Sequence, residues 1–315
     1  MPANIESMFY VRETPWHGLG VRVEEALTSQ DAITAAGLDW NVIQKPIYTS
    51  DFHGSDKQFI PNYKANIRET DNHILGVVSD RYKVVQNEEA FAFTDALIGE
   101  GVRYETAGSL QGGRRVWVLA KLPENYTIGG DEVEPYLVFS NSHDGTGAIK
   151  VCMTPIRVVC QNTLNLALDT ARRSWSSKHT TNIQNRLQGV RDTLQLAHRY
   201  MEQLGYEMDR LSQIKLTDSK VTALIHELIP LVDEATAIQK RNVEQLRDDL
   251  KIRYFEAPDL QTLGKNGHRF VNAVSDHSTH VRPLRETTTY KENLFVRTLD
   301  GHPMIDKALA MVKAA

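Results

Sequence analysis

Between residues 183 and 211, apolar side chains recur in alternating steps of four and three without a break: Ile183, Leu187, Val190, Leu194, Ala197, Met201, Leu204, Met208 and Leu211. Only a helix gathers such a series on one side, and an average spacing near three and a half residues makes that side a narrow seam that must be covered. The second half of the chain is therefore helical. Val221, Ile225, Leu228, Val232 and Ala235 repeat the step on a further helix, expected to kink at Pro230, and Val243, Leu246 and Leu250 begin a third stripe. The seam can close within the chain, against the helix starting near Val221, or between chains. Ala197, Met201 and Met208 stand where Ile or Leu would specify a strong coil, and Gly189 and Gly205 lower helix propensity. Closure within the chain is the expectation.

Ahead of Asn162 the pattern differs. Residues 29–37 read as a short capped helix ending at Gly37, and residues 40–45, 60–68 and 74–85 have strand character. Asn87 is a plausible N-cap for a helix that buries Ala90, Phe91, Thr94, Leu97 and Ile98. Residues 114–122, 135–140 and 148–159 follow as strands, with Gly112-Gly113, Gly129-Gly130 and Asp144-Gly145 supplying turns between them. This order gives an α+β fold: an antiparallel sheet with a β-β-β-α-like core in the N-terminal half, and a helical hairpin or bundle in the C-terminal half. The expected division is a sheet domain over residues 1–165 and a mainly helical region over 166–315.

Composition narrows the function classes. With 41% hydrophobic and 24% charged residues the chain reads as soluble and globular, and no apolar stretch approaches the roughly 18 residues of a membrane span. The opening MPANIESMFYVRETPWHG lacks the basic and apolar runs of a signal peptide. Cys152 and Cys160 are the only cysteines, a pair that supports neither a disulfide scaffold nor a four-ligand zinc site, so buried reduced thiols and a cytoplasmic location are expected. A net charge of −4 argues against a globally basic coat, yet residues 172–199 hold six cations and one anion, whereas residues 207–259 hold eight cations and eleven anions. A local basic groove stays open.

No P-loop, H-E-x-x-H, G-x-S-x-G or strand-linked G-x-G-x-x-G is present, so nothing argues for an enzyme, and no catalytic residue, cofactor or metal site is assigned. Ser142-His143-Asp144 reads as the approach to a turn, because sequence neighbours cannot form a relay. Asp276, His277 and His280 lack a marked further ligand. Basic residues interleaved with aromatics are more informative. Arg81-Tyr82-Lys83 is expected on a strand, with both cations on one face; Arg114, Arg115 and Trp117 open the next long one. Lys64, Arg68, Lys150 and Arg157 also fall on expected strands, and Arg172-Arg173 follow. Such a face can track phosphates while Tyr82 or Trp117 stacks on bases. The plain alternative is a solvated charged face over core aromatics.

Three segments carry a resemblance: Pro15-Trp16-His17-Gly18-Leu19-Gly20; Ser79-Asp80-Arg81-Tyr82-Lys83-Val84-Val85-Gln86-Asn87-Glu88-Glu89; and Ser142-His143-Asp144-Gly145 with Thr154-Pro155-Ile156-Arg157-Val158-Val159-Cys160-Gln161-Asn162-Thr163-Leu164. Together they resemble the phage/plasmid-like protein family built on domain of unknown function 932. More remotely, the order helix, three strands, helix is similar to the core of phage single-strand annealing proteins of the RecT and Red-beta kind. That likeness implies ATP-independent binding of single-stranded DNA, strand annealing or recombination, and a homo-oligomer in the host cytoplasm, with no membrane association. A host-takeover or anti-defence factor that binds a protein is the alternative. An unfamiliar nuclease or transferase around His17, His143 and Asp144 is a third.

Overall fold

The computed structural model describes residues 5–11, 20–24, 28–50, 56–98, 103–157, 162–163, 174–180, 187–280 and 301–315. The fold is α+β, with antiparallel sheets in the N-terminal half and helices in the C-terminal half. Strands β1 (Ile5–Tyr10) and β2 (Val21–Arg22) precede helix α1 (Ser29–Ala36). Thr28 and Asp31 close the start of α1 as a reciprocal capping box, and Gly37, at φ 64°, ends it. Strands β3 (Val42–Ser50), β4 (Lys57–Arg68) and β5 (Ile74–Ser79) form a three-stranded antiparallel sheet, followed by α2 (Asn87–Ile98). Then come β6 (Arg103–Leu110), β7 (Arg115–Lys121), β8 (Tyr126–Ile128), β9 (Asp131–Ser142), β10 (Ile149–Arg157), β11 (Asn162–Thr163) and β12 (Ser174–Ser177). The larger sheet runs β11-β10-β9-β7-β6-β1-β2, with β12 on β10 and β8 on β9.

The chain divides into two compact units that interleave in sequence: Met1–Pro123, Tyr136–Met153 and Arg173–Gln195 form one, and Glu124–Pro135, Thr154–Arg172 and Leu196–Ala315 the other. In the first, alternation along β7 decides the packing. Val116, Val118 and Ala120 are fully buried with Phe9, Leu38, Phe91 and Phe139, while Arg115, Trp117, Leu119 and Lys121 face the other way, half-buried. The strand expected over 74–85 stops at Ser79. Residues 80–86 leave the ladder, and their backbone is held by side chains together with backbone bonds from Asp80 to Asn62, Tyr82 to Ser79 and Lys83 to His179. Asn87 is correspondingly not the cap of α2: Ala90 N–H bonds to Gln86 C=O at 3.0 Å, and Gln86 N–H bonds to the Glu89 carboxylate at 3.1 Å.

Helix α3 (Leu187–Gln213) begins in the first unit and continues from Leu196 in the second, where α4 (Asp218–Leu228), α5 (Ala237–Glu256), a 3-10 turn (Pro258–Leu263), α6 (Gly267–His280) and α7 (Pro303–Lys313) follow. The seam closes internally where its side chains are described: Met201, Leu204, Met208 and Leu211 are buried, while Tyr206 on the opposite side is exposed. Pro230 does not kink a continuing helix. It stops α4 two residues earlier, since a proline disfavours helical geometry at the residue before it, and Val232 is left exposed rather than buried. Helix ends take side-chain caps from Thr217, Thr236 and His302. Buried arginines close the opposite ends: Arg247 donates to Ile229 C=O at 3.0 Å, and Arg269 donates to Tyr254 C=O at 2.7 Å while lying over the Tyr254 ring.

Candidate functional site

The segment from Tyr82 to Gln86 lies outside any strand between β5 and α2, and its neighbours clamp it, with Asn87, residue by residue. Gln44 donates to Tyr82 C=O at 3.4 Å, and the Tyr82 hydroxyl donates to Ser142 C=O at 2.5 Å. Lys83 N–H donates to His179 C=O at 2.6 Å, and His179 Nδ1 meets Lys83 C=O at 3.2 Å. Asn141 donates to Val85 C=O at 3.0 Å. The Gln86 amide spans both backbone groups of Val42. The Asn87 amide donates to Leu38 C=O at 3.0 Å, so its oxygen accepts at 3.0 Å from His143 Nε2. That arrangement leaves His143 Nδ1 a bare acceptor. His143 Nδ1, His179 Nε2 and Asn141 Oδ1 are buried and have no hydrogen-bond partner among the described residues.

The electrostatics follow from burial. Loss of water pushes His143 down to about 3, and the nearby His179 adds to this more than Asp144 opposes it. His179 is lowered for the same first reason. Burial alone would raise the Asp144 carboxyl; hydrogen bonds from the Ser142 hydroxyl and from Thr146, with Arg115 nearby, outweigh it and hold Asp144 below its ordinary range. Gly76 is required here, because a side chain on it would strike the Asp144 backbone. Both imidazoles are thus neutral at pH 7 and sealed from solvent, His143 tied to the Asn87 amide and His179 to the Lys83 carbonyl. Among the described residues no three His, Cys, Asp or Glu side chains are placed to share a metal ion.

This clamp contains the motif residues of two resemblance-bearing segments, and it relocates several expected contacts. Arg81 and Lys83 are exposed as expected, but in the turn after β5 and the clamped segment rather than on a strand. Tyr82 is 8% exposed and stacks on His179 with ring centroids 4.5 Å apart, so its face is taken. Arg68 is held by Glu6 at 2.9 Å and Asp71 at 2.7 Å, over the Trp40 ring. Its guanidinium, through its hydrogen bonds, holds Asp71 down at about 2. Lys64 is half-buried on β4. Arg114 precedes β7 and is exposed; Arg115, Trp117 and Lys150 are half-buried and share the face of the large sheet turned away from the core. The indole N–H of Trp117 is buried without a partner among the described residues. Arg157 ends β10 with its side chain outside the described set, and His17, Arg172 and Arg173 lie outside the described residues. Cys152 is a buried thiol, as expected; Cys160 lies outside the described residues.

Three of the exposed aromatics are elsewhere, on the β3–β4 hairpin. Tyr48 and Phe59 stand opposite one another, 54% and 53% exposed, with ring centroids 5.8 Å apart. Tyr63 is 51% exposed. A large irregular bulge lies beside them. Ile47 pairs with Ile60 and Pro46 with Lys64, so Pro61, Asn62 and Tyr63 are extra on β4, with Asn62 in the left-handed region at φ 65°. Strand alternation puts Lys57 on the face of Tyr48 and Phe59, and Lys45 on that of Tyr63. Tyr63 pairs with Ser79, and Asp80 N–H bonds to Asn62 C=O at 3.0 Å, so Arg81 leaves the sheet at the same end. Pro61-Asn62 inside a strand pattern was the available signal for the bulge.

Among the described residues no helix is long and apolar enough to cross a membrane. Neither a curated protein nor a solved structure matches the chain. Residues 74–298, which include the clamped segment and the His143 turn but only the last strand of the three-stranded sheet, match the family model of a domain of unknown function, DUF932, and the protein belongs to that family.

Proposed function

We propose that the protein binds single-stranded DNA along the β3–β4 hairpin and supports ATP-independent annealing or recombination. The observation that carries this reading is the trio Tyr48, Phe59 and Tyr63, each about half exposed on a sheet that also presents Lys45, Lys57 and, at its end, Arg81 and Lys83. Lone exposed aromatics are ordinary, but Tyr48 and Phe59 side by side with Lys57 on one face form a stacking platform, and Tyr63 with Lys45 offers a further ring on the other face. Base–aromatic stacking contributes about 1–3 kcal/mol per base, and a duplex keeps its base faces to itself, so the platform selects single strands. The site shifts from Tyr82 and Trp117, which are buried or half-buried, to side chains that can meet a base. The order of α1, three antiparallel strands and α2 agrees with the likeness to annealing proteins and supports the reading as topology alone.

Binding of a host protein is the second reading, favoured by Ile74 and Val77, which are 57% and 58% exposed on the same small sheet. Fluorescence anisotropy with labelled single-stranded and duplex oligonucleotides across a salt series separates the two. The single strand should bind more tightly, with affinity falling on a log–log slope of about −0.7 per phosphate neutralised. Equal, salt-insensitive or absent binding of both oligonucleotides would turn the assignment toward a protein partner.

A further inference from the structure

We infer that the outer face of α5 pairs with the same face of a second copy of this chain, antiparallel about Gln245. At 100° per residue, Ile238, Arg241, Gln245, Asp248 and Ile252 fall on one stripe, opposite the buried Arg247, Leu250 and Tyr254. Ile238 is 64% exposed and Ile252 53%, and they stand two heptads apart with Gln245 midway.

The stripe is complementary to itself in one orientation. On the stripe and its edge the cation, Arg241, lies toward the N-terminal end; the acids, Asp248, which pairs with Lys251 of its own helix, and Asp249, lie toward the C-terminal end. A parallel partner would stack Arg241 on Arg241 and Asp248 on Asp248. An antiparallel one sets Ile238 against the second copy's Ile252, and Arg241 against its Asp249, and does so twice because a two-fold contact repeats every pair. A surface cleft of about 610 Å³, lined by Asp249, Ile252, Arg253 and Pro258 among others, opens beside Ile252 to receive the incoming Ile238. The Arg253–Asp276 ion pair forms part of its surroundings. The heptad seam of α3 does not compete for this role, because its described side chains are buried.

Light scattering on the full-length protein over a concentration series gives the first test, with a dimer expected at high micromolar concentration and dissociation on dilution. Ile252→Glu, at an exposed position, should leave the circular dichroism spectrum unchanged and give a monomer throughout. Arg241→Glu should weaken the dimer, and adding Asp249→Arg in the same chain should restore it. Gln245→Cys lies on the two-fold axis and should form a disulfide-linked dimer under mild oxidation, above the wild-type baseline, whereas Ile238→Cys should not. A wild-type monomer at every concentration would overturn the inference. So would a dimer that survives Ile252→Glu, or one in which Gln245→Cys fails to cross-link.

Discussion

The two units differ in how many of their cations serve helix ends. In the second, the buried Arg247 and Arg269 and the exposed Lys307 donate to carbonyl groups at the C-terminal ends of α4 and α5, and Lys265 reaches Asp218 in the first turn of α4 at 2.7 Å. In the first, Arg68 is held instead by the carboxylates of Glu6 and Asp71, and Arg81, Lys83 and Arg114 reach solvent, as Arg210 and Arg241 do in the second. A cation at a helix C-terminus satisfies orphan carbonyls and meets the negative end of the dipole, so its charge is used within the fold. Counting Lys and Arg along a sequence cannot separate the two uses. The comparison teaches that a basic residue is informative about a ligand only after the helix ends have been served.

The contrast is sharpest at Arg269. It is 3% exposed, and its guanidinium holds Tyr254 C=O and Phe255 C=O. Arg269→Ala should cost about 3 kcal/mol, because charge-assisted hydrogen bonds disappear and buried carbonyls are left unmet, as read by urea denaturation. Oligonucleotide affinity of the folded fraction should not change.

Acid should then act on both units. His143 is depressed to about 3 and His277 to about 4 by burial, against 6.5 for either group in the unfolded chain. On acidification the unfolded chain takes up these protons first, so the stabilisation is complete above about pH 6.5. It is lost as the pH falls toward 4 for His277 and toward 3 for His143, at up to about 1.4 kcal/mol per pH unit each. Denaturation midpoints between about pH 7 and pH 4 should trace this slope, and His277→Gln should flatten it.

The pattern of elements was legible in the sequence; the roles of particular residues were less so. Apolar periodicity located α3 and the alternation of β7, because burial of one face leaves a period in the sequence. Asn87 and Tyr82 show the limit. Nothing local distinguishes an asparagine that caps its own helix from one whose amide is taken by Leu38 C=O and by His143, which is remote in sequence. A tyrosine between two cations looks like a stacking residue until Ser142 and His179 occupy its hydroxyl and its face. Tyr48 and Phe59 flank the hairpin turn without a basic neighbour in sequence on either side of Tyr48, so the interleaving rule passed them over.

Tyr82→Phe tests this directly. It removes the hydroxyl but keeps the ring on His179, so stability should fall by about 1–2 kcal/mol while single-strand affinity stays the same. Smaller again is the effect of Arg81→Ala with Lys83→Ala. Thermal denaturation should move by less than about 0.5 kcal/mol per site, since neither side chain is buried, yet the salt slope of oligonucleotide binding should flatten by about 0.7 for each phosphate no longer neutralised.

The most direct measurement is the affinity of a labelled single-stranded oligonucleotide for Tyr48→Ala/Phe59→Ala against wild type, at fixed salt, with folding checked by circular dichroism. The hairpin platform predicts a loss of at least about tenfold, as expected when about 1–3 kcal/mol of stacking is removed for each base. Wild-type affinity in a folded double variant would contradict it and return the nucleic-acid contact to the Arg115, Trp117 and Lys150 face.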